Sequence, residues 1–451
     1  MIEDCEDINV KVSFISLGCA KNTVNAEQMM ALCRDAGMEL LPQPQGADVV
    51  VINTCGFIDS AKTEAIDNIL AVAELKKAGQ VGKILVTGCL SQRYKEEIME
   101  EMPEVDGVMG TGSYSEIVPA IEELQHGGRP CRFGSIHAPV EELDRVLTTP
   151  NYYAFLRIAE GCSNCCAFCV IPSLRGKYRS RKMENILEEA RGLAAKGVKE
   201  IIVIAQDITR YGIDLYGEKK LSALLRELCK LDFHWIRLHY LYPEAIDDEL
   251  IDTIANEPKI LKYLDLPIQH CNDQLLRAMN RRNTKAELLE LFTKLRSRIP
   301  HLVLRTSLIT GLPYEDEAAF EELCEFLPEV RIERAGVFPY SPEEGTAAEK
   351  MGNRVDTAEA ERRAELVVDV QSRIMDDFNE SRMGDVTEVL CEGWDSQSMS
   401  YVGRSWAESP DIDGHIYFTA ERKVEEGEFV PVRITGSMDG ELTGELWEEE
   451  V

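Results

Sequence analysis

Three stretches with different rhythms predict an α/β protein built from an open parallel α/β sheet, a partial (β/α)6 barrel and a small antiparallel β-barrel. Strands alternate with helices over residues 9–135, and the alternation resumes over 148–378. Short alternating strands with Gly and Asp between them fill residues 381–451. Strand–helix alternation indicates a parallel sheet, and closely spaced short strands indicate a small barrel. A chain of 451 residues also exceeds one core and suits several domains.

In the first segment NVKVSFISLG reads as a strand, and TVNAEQMMALCRDAG as a helix ending at Gly37. ADVVVINT is a continuous apolar run, as a strand covered on both faces requires, and SAKTEAIDNILAVAELKKAG is the helix behind it. KILVTG is the third clear strand, SQRYKEEIMEEM its helix, and DGVMGTG leads into a helix at SEIVPAIEELQ.

The middle segment reads as strands at AFLRIAE, EIIVIAQ, WIRLHYL, YLDLPIQ, LRTSLITG and RAGVFPYS, with helices between. Six β/α units of one hand close into a partial barrel rather than the full eight. TAEAERRAELVVDVQSRIMDDFNESRMG is a long connecting helix. VTEVLCEGW, SMSYVGRS, HIYFTAE, FVPVRITG and ELTGELWE are the five strands of the last barrel.

Forty-nine Lys and Arg against 80 Asp and Glu give a net charge of −31. Phosphate backbones must be met by basic side chains, so this is a poor generic nucleic-acid binder and suits a basic partner. The N-terminal MIEDCEDINV is acidic, and no run reaches the roughly 18 apolar residues of a membrane span, so the expected compartment is the cytoplasm. In that compartment 14 cysteines argue for metal or catalytic use over disulfides.

EGCSNCCAFCVIPSLRGKYRSR holds four cysteines, Cys162, Cys165, Cys166 and Cys169. Two spacings are regular: Cys162, Cys166 and Cys169 without Cys165, or all four as two CxxC pairs, as in a zinc site. The first is favoured because side chains of adjacent ligands diverge. The cluster also follows the first barrel strand, where barrel active sites lie. Phe168 before Cys169 completes a CxxxCxΦC pattern. Three thiolates on a [4Fe–4S] cluster leave one iron for an outside ligand. The pattern resembles the radical SAM superfamily, which implies S-adenosylmethionine (SAM) at that iron and a 5′-deoxyadenosyl radical.

Three further cysteines follow the three clear strands of the first segment: Cys19, Cys55 and Cys89. Ligand sites of open parallel sheets lie at the carboxyl ends of strands, about 4.8 Å apart, so the three can converge. No His accompanies them to complete a zinc site, which favours a second [4Fe–4S] cluster. The remaining thiols, Cys5, Cys33, Cys131, Cys229, Cys271, Cys324 and Cys391, show no ligand spacing.

SLGCAKNTVNAEQM, NTCGFIDSAK and TGCLSQRY resemble the N-terminal domain of methylthiotransferases, and GCSNCCAFCVIPSLRGKYRSR resembles their radical SAM motif. FPYSPEEGTAAEKM resembles the end of their barrel, and the C-terminal barrel resembles their TRAM domain. The resemblance implies insertion of a methylthio group at an unactivated C–H bond, with two [4Fe–4S] clusters and SAM as both methyl and radical source. It also implies an electron donor such as flavodoxin or ferredoxin.

Members of this family act on tRNA adenosine or on the β-carbon of an aspartate in small-subunit ribosomal protein twelve. From Ser381 to Val451 five Lys or Arg stand against seventeen Asp or Glu, a net of −12 that would repel tRNA and attract a basic ribosomal protein. IIVIAQDITRYG and LDLPIQHCNDQLLRAMNRR resemble the protein-modifying branch and place Gln206, Asp207, Gln269 and His270 at the barrel mouth. GCAKN stands where that branch is closer to GCPKN, which leaves Cys19 in place. Phe168, Gln206, Gln269, Arg305, Gly311 and Tyr340 are the expected cofactor contacts, with a simple turn as the alternative at Gly311. Arg175, Lys177, Arg179 and Arg181 would offset charge, grip an acidic group, or form a solvated loop. The rival readings are a tRNA methylthiotransferase and a non-catalytic iron–sulfur or zinc protein.

Overall fold

The computed structural model describes residues 10–448, so Cys5 lies outside the described residues. The first sheet holds β1 (Lys11–Ser16), β2 (Glu39–Leu41), β3 (Val49–Thr54), β4 (Lys83–Gly88), β5 (Gly107–Met109) and β6 (Cys131–Arg132). All pairs are parallel, in the order β2-β1-β3-β4-β5-β6. β3 is buried along its whole length. Val49 and Val51 enter one core with Met29, Ile117 and Ile121, while Val50 and Ile52 enter the opposite core with Ile69 and Ile98. That split is the two-residue period of a strand covered by helices on both faces.

The edge strands β2 and β6 were not expected, because two or three residues are too few to display a period. The helix expected over SQRYKEEIMEEM is two helices, Cys89–Tyr94 and Glu97–Glu101. Lys95, with φ 48°, breaks it.

The second sheet holds β7 (Tyr153–Arg157), β10 (Glu200–Ile204), β11 (Trp235–Leu238), β12 (Ile260–Asp265), β13 (Val303–Thr310) and β14 (Arg334–Pro339), and between the first two lie β8 (Ala159–Glu160) and β9 (Arg179–Ser180). Its order β14-β13-β12-β11-β10-β7 is sequential and parallel, as expected of a six-unit partial barrel. AFLRIAE is not one strand: it divides at Ile158, and β8 pairs antiparallel with β9 as a two-stranded ribbon. Ala154 and Leu156 face the outer helices, while Tyr153 and Phe155 face the interior with Ile202, Ile204 and Tyr263.

The last barrel holds β15 (Val386–Asp395), β16 (Ser400–Arg404), β17 (Ile416–Thr419), β18 (Phe429–Met438) and β19 (Glu441–Leu446), closed in the order β15-β16-β17-β19-β18. The five expected strands are these five. The helix Thr357–Ser381 connects it to the central sheet.

Segment 405–414, between β16 and β17, enters the partial barrel. Arg237 donates to the carbonyl of Trp406 (3.1 Å), His239 and Ser409 share a 2.8 Å hydrogen bond, and Tyr263 donates to Asp413 (2.6 Å). Arg334 pairs with Glu408 at 3.0 Å. Glu200 takes Arg237 at 2.8 Å and also Arg404. Buried charges are tolerated when paired in this way.

Candidate functional site

β1 leads through Gly18 to Cys19, which begins the helix Ala20–Asp35. Cys55 directly follows β3, and Cys89 opens the helix after β4. β1 lies between β2 and β3, so chain direction across the sheet reverses there, and ligand crevices open beyond the strand ends at such a point. A Cβ on Gly18, whose φ is +88°, would sit 2.7 Å from Cys55 Cβ. A Cβ on Gly56 would sit 2.8 Å from the Leu90 backbone. Only glycine lets these turns close on one another. Asn22 staples them, donating to the carbonyls of Leu17 (2.9 Å) and Thr54 (3.0 Å).

Burial pushes the Cys55 thiol up to about 12, and nearby Cys89 and Cys19 push the same way. Burial likewise raises Cys89, against the pull of Arg175. Burial opposes ionisation of Cys19 too, but Lys21 and Arg175 outweigh it and hold this thiol below its ordinary value.

The second trio lies on the loop clasped by the β8–β9 ribbon. A Cβ on Gly161, with φ +76°, would lie 2.3 Å from the Lys177 carbonyl, so glycine is required where the ribbon pinches. Ala167 donates to the Met279 carbonyl (2.9 Å) and accepts from the Ala348 amide (2.8 Å), which pins the loop over the barrel mouth. Asn164 donates to Asp207 (2.8 Å). Cys162 and Cys166 are buried and Cys169 partly so, whereas Cys165 is exposed with φ 54°. Burial pushes Cys162 up to about 11 and Cys169 higher, with Cys166 adding to both. Arg281, which sequence reasoning passed over, lies 3.7 Å from Cys166 Sγ and above the Tyr242 ring.

Arg175 joins the two trios. The helix Ile171–Arg175 places Val170 and Leu174 against Cys89 and Phe57 of the sheet domain. Arg175, 2% exposed, donates to Asn25 (3.0 Å) and Asn22 and pairs with Glu160 (3.1 Å). Burial works against the Glu160 carboxylate, but Arg175 and Arg157 hold its pKa at about 2. The solvated-loop reading of the basic run therefore fails at Arg175 and Arg181. Arg181 is buried against Glu142 and Glu189, Arg179 donates to the carbonyls of Arg175 and Lys177, and only Lys177 is exposed.

Phe168 and Tyr340 share an apolar cluster at the mouth with Ala167, Met279, Leu312 and Ala348. The Tyr340 hydroxyl and Gln206 Oε1 are buried without a hydrogen-bond partner among the described residues. Gln206 donates to Glu160 (3.0 Å), and Gln269, with φ 72°, bridges to Leu308.

Two of the expected contacts also have close neighbours within the protein. The close approach at Gly311 is to the long helix, since an added Cβ would lie 2.2 Å from Ala360 Cβ. Arg305 pairs with Asp265 at 2.8 Å and reaches Asp413 of the last barrel at 4.0 Å. His270 Nδ1 accepts from the amides of Cys271 and Asn272, its buried Nε2 has no hydrogen-bond partner among the described residues, and burial lowers its pKa to about 3.

Among the described residues no group of three or more His, Cys, Asp or Glu is arranged to hold a single metal ion. A cubane takes one thiolate at each of separate iron corners, so its ligands need a shared pocket rather than a single point. Three thiols per pocket, glycine turns that bring them together and a buried arginine near each trio fit such a group.

Three family models match in succession. An uncharacterized protein family, UPF0004, matches residues 11–110, the radical SAM superfamily 156–327 and the TRAM domain 383–446. A protein of Caldanaerobacter subterraneus subsp. tengcongensis, named ribosomal protein uS12 methylthiotransferase RimO, is 47% identical over 96% of this chain and 99% of its own. A protein of the same name from Clostridioides difficile is 45% identical over 97% and 99%. Among solved structures, the radical SAM methyltransferase TsrM of Kitasatospora setae superposes with a TM-score of 0.56 at 12% identity, over 75% of this chain and 77% of that one. The cobalamin-dependent SAM radical enzyme OxsB gives 0.52 at 11% identity, over 88% and 64%. At such identities the likeness is one of fold.

Proposed function

We infer the activity from a family to which this chain belongs, the ribosomal protein uS12 methylthiotransferases named RimO. The chain is a radical SAM methylthiotransferase that adds a methylthio group to the small-subunit protein uS12. Its cofactors are [4Fe–4S] clusters and SAM. The acceptor is the β-carbon of an aspartate.

Cys162, Cys166 and Cys169 hold the cluster at which SAM is cleaved, and Cys19, Cys55 and Cys89 hold the auxiliary cluster. When bound, these groups supply one electron, a hydrogen-abstracting radical and the methylthio group. The chain supplies the rest. Phe168 and Tyr340 give SAM an apolar wall, with the free Tyr340 hydroxyl and Gln206 Oε1 as polar anchors. Arg281 and Arg175 offset the charge of the thiolates. Val170 and Leu174 pack on Cys89 and give the space between the trios an apolar flank. The domains are assigned as 9–135, 148–378 and 381–451, divisions within which the three family matches fall.

One observation carries the reading: Arg175, on the loop of one trio, is buried against Asn22, which staples the other. The partner follows from charge. Of the five basic residues after Ser381, Arg382 and Arg404 are buried in pairs with Glu408 and Glu200. Arg422 and Lys423 pair with Glu428 and Glu425, and Arg433 lies 3.4 Å over the Trp447 ring. The surface left is acidic, suited to a basic ribosomal protein and unsuited to tRNA. The site lies in the cytoplasm with the ribosome, and a small one-electron carrier of the flavodoxin or ferredoxin kind reduces the clusters.

Iron analysis and mass spectrometry test this together. The enzyme should hold about eight irons, and about four when Cys19, Cys55 and Cys89 are all replaced by alanine. Cys165→Ser should keep about eight. uS12 from cells lacking the gene should lose the mass of one methylthio group. Unchanged uS12 alongside lost tRNA methylthiolation would overturn the assignment.

A further inference from the structure

Lys21 lies two residues beyond Cys19, and its side chain crosses from the sheet domain into the barrel. Its ammonium sits 3.3 Å from the centroid of the Tyr240 ring, just beyond β11, and the residue is 6% exposed. Among the described residues no carboxylate lies within ion-pair reach of it. Most other buried bases differ: Arg145, Arg157, Arg181, Arg237, Arg334 and Arg404 each pair with a glutamate, and Arg281 instead meets Cys166 and the Pro267 carbonyl. An ammonium taken out of water without a carboxylate partner is costly, and an aromatic face offsets only part of that cost.

The ring beneath the ammonium is held in place. Tyr240 holds φ 63°, an uncommon backbone for a tyrosine, and its amide donates to Asp265 at 3.0 Å, which fixes the ring as a platform. Asp265 is itself taken by Arg305, so it is not free to neutralise Lys21.

We propose that Lys21 is the seat of the substrate aspartate's carboxylate, a proposal that rests on the function inferred above. The β-carbon is bonded directly to that carboxylate. An ion pair at Lys21 sets it beside Cys19, where the methylthio group arrives, and inside the barrel beneath the loop at which the radical is made. The same pair selects aspartate over asparagine, because an amide brings no charge to a buried ammonium. Lys21 is a substrate-positioning residue and takes no part in the electron transfer.

The test is binding of purified uS12, and of uS12 with its target aspartate changed to asparagine, to the iron-loaded enzyme. Wild type should favour the aspartate form by about tenfold, or about 1.4 kcal/mol. Lys21→Met should bind the two forms alike, and Lys21→Arg should keep the preference. An undiminished preference in Lys21→Met overturns the proposal. So does a matching loss of iron in Lys21→Met and Lys21→Gln, which would assign the ammonium to the cluster. Failure of wild type to bind either form would instead sink the function on which the proposal rests.

Discussion

Gly311 and Gly217 share a left-handed backbone, with φ of +75° and +79°, and differ in what surrounds them. A Cβ at Gly217 meets nothing within 4 Å, while one at Gly311 runs into Ala360. Gly217→Ala should therefore cost only the backbone strain, about 1–2 kcal/mol. Gly311→Ala should add about 1–3 kcal/mol of overpacking. Thermal unfolding should rank Gly311→Ala well below Gly217→Ala, and equal melting points would refute the packing account.

His239 and His270 are both held at about 3 by burial. They are neutral in the fold, whereas each takes a proton in the unfolded chain below about pH 6.5. Their contribution to stability is complete above that pH. It is lost as pH falls toward 3, at up to about 1.4 kcal/mol per pH unit for each histidine. His270→Asn keeps an acceptor for the Cys271 and Asn272 amides and should melt with a shallower acid dependence. An unchanged slope between pH 6.5 and 4 would count against it. At this scale the cysteines were legible because their spacing is the signal. Lys21, Asn22 and Arg281 were not, since a lone polar residue reveals its use only through its neighbours.

Among the elements, segment 405–414 does what no strand pattern foretells. It carries Glu408, which takes Arg334 at 3.0 Å and Arg382 at 2.5 Å and whose pKa lies at about 2 although burial opposes that. Glu408→Ala leaves two buried guanidiniums without their acid and should cost about 3–5 kcal/mol. Glu428→Ala, which removes a surface pair with Arg422, should cost under about 1 kcal/mol. Calorimetry with limited proteolysis at residues 405–414 checks both, and comparable losses would refute the distinction. The main strands were legible in the sequence because buried strands are long apolar runs. The β8–β9 ribbon and the break at Lys95 were not, because two-residue strands and one left-handed residue leave no period to read.

Across the whole molecule, charge is the dominant quantity. A net −31, with the bases of the last barrel consumed internally, should speed encounter with a basic protein at low salt. Association with uS12 should slow steeply as ionic strength rises. Replacing the exposed Glu421, Glu425 and Glu426 together by lysine should cut the on-rate by roughly tenfold at low salt. An on-rate insensitive to both would leave the acidic barrel without a part in recognition.

The sequence by itself determined the three-part architecture, the two cysteine trios and the sign of the surface. Each of these is written locally, as a period, a spacing or a count. Only the tertiary structure decided how the parts meet. It turned Arg175 from its own loop toward Asn22, set Gly311 against the long helix, and led Lys21 into the barrel without an acid. Such pairings join residues up to 150 or more positions apart, and nothing in either local stretch encodes the other's position.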